Sequence, residues 1–511
     1  MVKSWLCTFE TNDLVLTSSF TSSVSTNRNR SSGSELVMLL QRSLSAIVHG
    51  ALRRKTTSSW SKLKAIEGLK NEPEPQERKE AKITLGATID PCCDPQNPQK
   101  IDFALISAAA YNIRDGIVRT ECRRSRNLSF NLGMELYLKM EVNQVTGSFK
   151  ERGGRFALLR LTEEERRAGV IAASAGNHAL ALCYHGKKLG IPVNVVMPRH
   201  APLMKIDSCT KLGANIRVEG KDITRAREIA LQMAKERGAK YINGYDHVDI
   251  LAGTGTIALE IFDQVKDADA VVIPVGGGGL IAGMATAIKT LYPNVQVIGV
   301  ESEKCTGFTR SLEKGEPVMT KSLPTLADGL AVPLVGVNAF HSAKDYVDKM
   351  VTVTEESIAL AILRLVEWEK VVVEGAGAVG IAALLAGQLP ELEGKRVVTI
   401  LSGGNIDTTC LGRSIERGMV YDNRLTRFDV VVSDRPGGIA ELAAIIASCG
   451  ASIKDMFQER AWIRQDIFSV RVKVVAETRN QEHVEELAAT LSKRYEDVVF
   501  TNSDSPPSAN S

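Results

Sequence analysis

The sequence predicts an α/β fold, with parallel sheets carrying helices on both faces, followed by a smaller ferredoxin-like βαββαβ unit. Three observations lead there. Between about 100 and 420, short Val/Ile/Ala runs alternate with helix-like stretches, the pattern of strands each followed by a covering helix. Several of those strands end in Gly-rich turns, at the place where open α/β sheets bind ligands. After "GMVYDNRLTRF" the texture becomes strand, turn, helix, strand, strand, helix, strand over roughly 75 residues.

The chain has 511 residues, 44% of them apolar and 24% charged, which suits two or three globular units. Residues 1–98 are rich in Ser, Thr, Arg and Lys and read as a disordered extension with one amphipathic segment at 34–55. That composition also fits a mitochondrial transit peptide, but Glu10 and Asp13 lie near its start, so a plain tail and a cytoplasmic location are expected. The α/β unit is expected over 99–425, the βαββαβ unit over 426–500, and a polar tail over 501–511. A net charge of +3 with interleaved signs offers no basic stripe for nucleic acid. No apolar run reaches the roughly 18 to 20 residues of a membrane span. The nine cysteines are odd in number, scattered, and without zinc-type spacing, as in an intracellular protein with reduced thiols.

The joints between runs carry the informative residues. "GVIAA" precedes "SAGNHALALCYHGKKLG", "DAVVIPV" precedes "GGGGLIAGMATAIKTLYP", and "VVTIL" precedes "SGGN". One pocket assembled from distant segments is expected. Gly375, Gly377 and Gly380 form a G-x-G-x-x-G, but the acid that a dinucleotide site places after the next strand is replaced by Ser402. Dinucleotide binding is therefore weakly supported.

Within "MEVNQVTGSFKERGG", Lys150 stands beside Phe149 among small residues. Read as a desolvated amine, it can form a Schiff base; a fall in pKa from about 10.4 to about 7.5 corresponds to roughly 4 kcal/mol, which burial can supply. A solvated helix-start lysine is the competing reading. In "PVGGGGL", Gly276, Gly277, Gly278 and Gly279 precede Leu280 between a strand and a helix, so backbone N–H groups can cradle a phosphate. No Gly-Lys-Ser/Thr follows, which excludes a nucleotide P-loop. "SAGNH" places Ser174, Ala175, Gly176, Asn177 and His178 at a helix start, suited to a substrate carboxylate or to ordinary capping by Ser174.

Taken together, TGSFKERG, SAGNH, GGGGL, EGAGA and LSGGN resemble the fold-type II pyridoxal-phosphate enzymes, and within them the threonine/serine dehydratase (ammonia-lyase) family. The resemblance implies two subdomains, with Lys150 carrying pyridoxal 5'-phosphate and Phe149 against its ring. It further implies that Asn177 faces the ring hydroxyl, that Gly276 to Leu280 hold the phosphate, that Ser402 bonds the pyridine nitrogen, and that residues 174–178 bind substrate. A serine there need not keep the nitrogen protonated, which makes the ring a poorer electron sink and favours elimination over a long-lived carbanion. The implied reaction is deamination of L-threonine to 2-oxobutanoate, and of L-serine to pyruvate, in a homo-oligomer, dimer or tetramer.

The segment after 425 resembles an ACT domain, whose effector turn would match Asp434, Arg435, Pro436 and Gly437; a turn with a helix-starting proline is the alternative. Serine racemases share the scaffold but resemble a pattern with a second serine where this chain has Ala175. Their metal site would match Glu301, yet the expected acid six residues on is Gly307, which leaves the metal open. The family's AGQGT is AGTGT here, with Thr254. From another class, the chain would be a weakly catalytic amino-acid sensor, for which a Schiff-base lysine would be superfluous. Supplied with pyridoxal phosphate, the protein should absorb in the visible and borohydride should fix the cofactor on Lys150; a colourless protein would overturn the enzyme reading.

Overall fold

A run buried at every position, such as Ala270–Pro274, requires cover on both faces, and the chain provides it in two parallel sheets. The structure, a computed structural model, describes residues 90–463 and 466–501. The extension expected over 1–98 lies outside the described residues up to residue 89, as does the tail from 502.

Ten strands build the two sheets: β1 (Cys122–Arg124), β2 (Glu135–Lys139), β3 (Val170–Ala173), β4 (Val193–Met197), β5 (Asn215–Val218), β6 (Lys240–Tyr241), β7 (Ala270–Pro274), β8 (Gln296–Ser302), β9 (Lys349–Val353) and β10 (Arg396–Ile400). The larger sheet runs β1-β2-β10-β7-β8-β9, parallel except for β1. The smaller, wholly parallel one runs β5-β4-β3-β6. Helices Val248–Gln264 and Gly279–Leu291 cover one face of the larger sheet, and Glu355–Arg364 and Gly375–Leu385 the other. Asn177–Leu189 and Ile223–Arg237 cover the two faces of the smaller sheet.

The G-x-G-x-x-G opens helix Gly375–Leu385 and serves contact between that helix and its surroundings. A Cβ on Gly377 would lie 2.8 Å from Val373 Cγ1 and 2.9 Å from Gly403 O, and one on Gly380 would overlap the Thr399 hydroxyl on β10.

Helix Lys150–Leu159 packs against both Val248–Gln264 and Asn177–Leu189, so it lies where the layers of the two sheets meet. Arg152, on its first turn, has no exposed surface. It donates through Nε and Nη2 to Glu141 at 2.8 and 2.7 Å, and through Nη1 and Nη2 to Glu260 at 2.7 and 2.8 Å. Lys139, at the end of β2, reaches Glu260 at 2.7 Å, and the Thr120 hydroxyl reaches Glu141 at 2.6 Å. Burial works against the Glu141 carboxylate, but Arg152 outweighs it and holds the carboxyl below its ordinary range. Upstream, the loop before Lys150 is stitched to the segment after β10: Val142 N donates to Leu401 O, Phe149 N to Ser402 O at 3.0 Å, and Gly404 N to Gly147 O at 2.9 Å.

The C-terminal unit comprises β11 (Leu425–Ser433), β12 (Ser452–Glu459), β13 (Ser469–Glu477) and β14 (Val498–Thr501), antiparallel in the order β12-β13-β11-β14, with helices Gly438–Ser448 and Gln481–Arg494. This is the expected βαββαβ succession. Its buried positions alternate along β11 and β13, as one covered face requires. Arg424, just before it, pairs with Glu367 in the π-turn Leu365–Glu369, and Arg364 pairs with Asp422.

Removing the Arg152 guanidinium would leave two carboxylates without their fork. Arg152→Ala should lower the unfolding free energy by about 3 to 5 kcal/mol, read as a lower urea midpoint at unchanged m.

Candidate active site

A cavity of about 420 Å³ opens among the carboxyl ends of the strands. The structure brings to it every residue the sequence singled out for cofactor and substrate: Phe149, Lys150, Ser174, Ala175, Gly176, Asn177, His178, Gly276, Gly277, Gly278, Gly279, Leu280 and Ser402. Asp434, Arg435, Pro436 and Gly437 lie elsewhere, in the turn after β11. There Asp434 accepts from Arg460 at 2.7 and 2.8 Å, and the Arg435 guanidinium lies 5.0 Å from the Phe468 ring centroid.

Lys150 opens its helix and faces the cavity, with Nζ donating to Gly244 O at 2.8 Å and lying 5.3 Å from the Phe149 ring centroid. Desolvation lowers its pKa to about 8, against an opposing pull from Glu374. His178 is buried, and its Nε2 meets Ile242 O at 3.0 Å; a carbonyl can only accept, so the proton sits on Nε2. Desolvation, aided by Lys150, pushes this imidazole down to about 3, so it is neutral at physiological pH. Its ring packs on Gly244, where a Cβ would come within 2.6 Å of it.

The four-glycine turn links β7 to helix Gly279–Leu291 and is closed in from behind. A Cβ on Gly276 would lie 2.7 Å from Leu330 Cα, one on Gly277 would overlap the Tyr245 ring, and one on Gly279 would lie 2.7 Å from Tyr245 O. Gly278 has φ 91°, a left-handed conformation that side chains avoid. The N–H groups of Gly276 to Gly279 have no acceptor among the described residues, which leaves them for an anion. Asp246 supports this wall: it accepts from Val337 N and Ala339 N at 3.0 and 2.9 Å, and Gly336 N in turn donates to Gly277 O at 2.9 Å. Burial raises its pKa to about 6. The Thr254 hydroxyl lies 3.0 Å from Gly279 O, which gives this departure from AGQGT a place in the cradle.

Several residues of the site were not singled out from sequence. Glu374 is buried and accepts from Asn177 Nδ2 at 2.7 Å. Desolvation, then Asp328, raises its pKa to about 7. Asn405 donates to Asn177 Oδ1 at 2.8 Å, and Lys205 donates to Asn405 O at 2.7 Å. Lys205, Arg227, Tyr245 and Asp328 also line the cavity. Glu374 lies within the quoted EGAGA, where its position before a helix rich in glycine was the available signal. Glu301 accepts from Phe308 N, Thr309 N and the Thr309 hydroxyl at 2.8, 3.0 and 2.6 Å, and so caps helix Gly307–Lys314. Among the described residues no group of three or more His, Cys, Asp or Glu is placed to hold a metal ion.

A desolvated amine, a ring-sized space and a cradle of unpaired amides at a helix start are what a phosphorylated aldehyde requires. Residues 113–403, more than half the chain, match the family described as pyridoxal-phosphate dependent enzyme, and the chain belongs to that family. Its cofactor is pyridoxal phosphate. Among its relatives, the L-threonine ammonia-lyase of Thermotoga maritima is 43% identical over 392 residues, covering 76% of this chain and 97% of the relative. The processed form of threonine deaminase isoform 2 from Solanum lycopersicum superimposes with TM-score 0.59 at 36% identity, over 66% of this chain and 98% of that one. Maize serine racemase gives TM-score 0.59 at 30% identity, over 63% and 98%.

The depressed lysine has a direct readout in cofactor-free protein. Lys150 is cationic below its pKa and nucleophilic above it, so its condensation with an added aldehyde should rise through about pH 8. A rise only near the ordinary lysine value of about 10.4 would mean that the cavity does not desolvate it.

Proposed function

We propose that this chain is a threonine ammonia-lyase, a carbon–nitrogen lyase converting L-threonine to 2-oxobutanoate and ammonia and, secondarily, L-serine to pyruvate and ammonia. The observation that carries the reading is the asymmetry of the site. Lys150 presents a depressed amine, whereas the Ser174–His178 turn has no second serine after Ser174: Ala175 ends in a methyl and His178 is tied to Ile242. Proton removal without that second serine as donor suits elimination and handicaps racemisation.

When bound, pyridoxal phosphate supplies the electron sink that makes the substrate Cα–H acidic. Gly276 to Leu280 would hold its phosphate through backbone amides, with Ser402 toward the ring nitrogen and Phe149 beside the ring. Asn177 would donate toward the ring hydroxyl. The helix start at Ser174 to Asn177 receives the substrate carboxylate. Lys150 would take the Cα proton, the β-hydroxyl would leave with a proton as water, and water would return at Cα as ammonia leaves, so that oxidation of Cα from amine to ketone is balanced by reduction of Cβ from carbinol to methylene. Leu330, Ala331, Val332 and Pro333, which line the cavity, give the threonine methyl an apolar wall.

The C-terminal unit acts in this proposal as an ACT-type regulatory domain with its effector at Asp434 to Gly437. The exposed strand β12, at the sheet edge, supports a homo-oligomer. None of the described helices is long and apolar enough to cross a membrane, and the eight described cysteines are free, in keeping with a cytoplasmic setting.

The test is a parallel assay of cofactor-loaded protein on L-threonine and L-serine, following 2-oxo acid, ammonia and D-enantiomer. Oxo acid from threonine should form and should be lost in Lys150→Ala. D-serine with little oxo acid would instead establish a racemase.

A further inference from the structure

Asn177 is the centre of a directed hydrogen-bond chain whose polarity can be worked out from one end. Asn405 Nδ2 donates to the Thr146 carbonyl at 2.7 Å, and a carbonyl can only accept, so that atom is nitrogen. The same nitrogen lies 2.8 Å from Asn177 Oδ1, which must then accept. Asn177 Nδ2 therefore points the other way and donates to Glu374 Oε1 at 2.7 Å. One hydrogen of that nitrogen is used, and the second remains for the cavity. Gly403 is needed for the approach: a Cβ there would overlap the Glu374 carboxylate and lie 3.0 Å from Asn177 Nδ2.

We infer that Glu374 is a positioning residue for the reaction: by accepting from Asn177 it fixes that amide with an N–H toward the cavity, so that a bound pyridoxal ring hydroxyl is received as its anion. Asn405 holds the amide oxygen and Glu374 holds the amide nitrogen, and the two together stop the amide from turning its oxygen inward. An ionised acceptor also strengthens the donor it binds, since charge-assisted hydrogen bonds are roughly twice as strong as neutral ones.

The groups facing Glu374 belong to three other elements: Asp328 on the turn Asp328–Leu330, Lys205 on helix Leu203–Lys211 and Lys150 on its own helix. Desolvation and Asp328 raise the carboxyl, and Lys205, Asn177 and Lys150 lower it, which leaves it near 7. A raised carboxyl is ionised above that value and protonated below it. Glu374 thus loses the charge that polarises Asn177 as pH falls through about 7.

The inference rests on the pyridoxal-phosphate reading of the cavity, but its first readout is spectral and requires no turnover. Visible absorbance of the loaded protein is titrated from acid to base in wild type, Glu374→Gln, Asn177→Ala and the double variant, alongside kcat and KM on L-threonine. Wild type should show a transition near pH 7 that Glu374→Gln abolishes, with kcat down about tenfold and KM changed less than about twofold. In the Asn177→Ala background the Glu374 substitution should change neither the spectrum nor kcat by more than about twofold. An unaltered transition in Glu374→Gln, or an equal loss in both backgrounds, would overturn the inference. So would a Glu374→Gln protein that no longer loads the cofactor while Asn177→Ala does, because that would place Glu374 in holding the cradle together. A protein that titrates as expected yet leaves L-threonine untouched would sink the substrate assignment alone.

Discussion

Two residues beyond Lys150, the Arg152 guanidinium is held without exposure between Glu141 and Glu260. Burying such charges costs several kcal/mol per ion, and only excellent geometry offsets that, so the network is better understood as fixing position than as adding stability. It does so in three directions: Glu141 follows β2, Glu260 belongs to helix Val248–Gln264, and Arg152 sits on the turn that begins with Lys150. An apolar contact would tolerate sliding of that helix. A double fork does not, because each N–H has its own oxygen.

With the lysine fixed in this way, the remaining parts of the site are fixed by close approach. The glycine cradle is pressed against Tyr245 and Leu330, and the segment after β10 is bonded to the loop before Lys150, so Ser402 and Lys150 move together. The cavity therefore has a floor set by backbone contacts and a chemistry set by a few side chains. Desolvation does the rest, lowering the amine of Lys150 and raising the carboxyl of Glu374 toward a common range.

The fold was legible because each layer left a pattern: apolar runs for strands buried on both faces, and alternation for the C-terminal sheet covered on one. The site was legible where side chains are conspicuous or missing, as at Lys150 and the four glycines. Glu374 was not, because its meaning comes from Asn177, 197 positions away in the chain, and a lone acid before a helix carries no local mark. Asn405 and Asp246 escaped for the same reason. The G-x-G-x-x-G looks in sequence like the fingerprint of a nucleotide site, but Ser402 in place of the acid spoke against that, and Gly377 and Gly380 answer to Val373, Gly403 and Thr399, a demand of packing.

The cavity is lined by two acids, Asp328 and Glu374, and by three bases, Lys150, Lys205 and Arg227. The lining thus has one base more than it has acids, an excess that an anionic group entering the cavity offsets. A zwitterion, itself neutral as a whole, leaves that balance as it finds it. An amino acid with a charged side chain brings an unmatched unit charge beside the apolar wall at Leu330 to Pro333. Net charge, and not shape alone, thus bears on what the cavity admits.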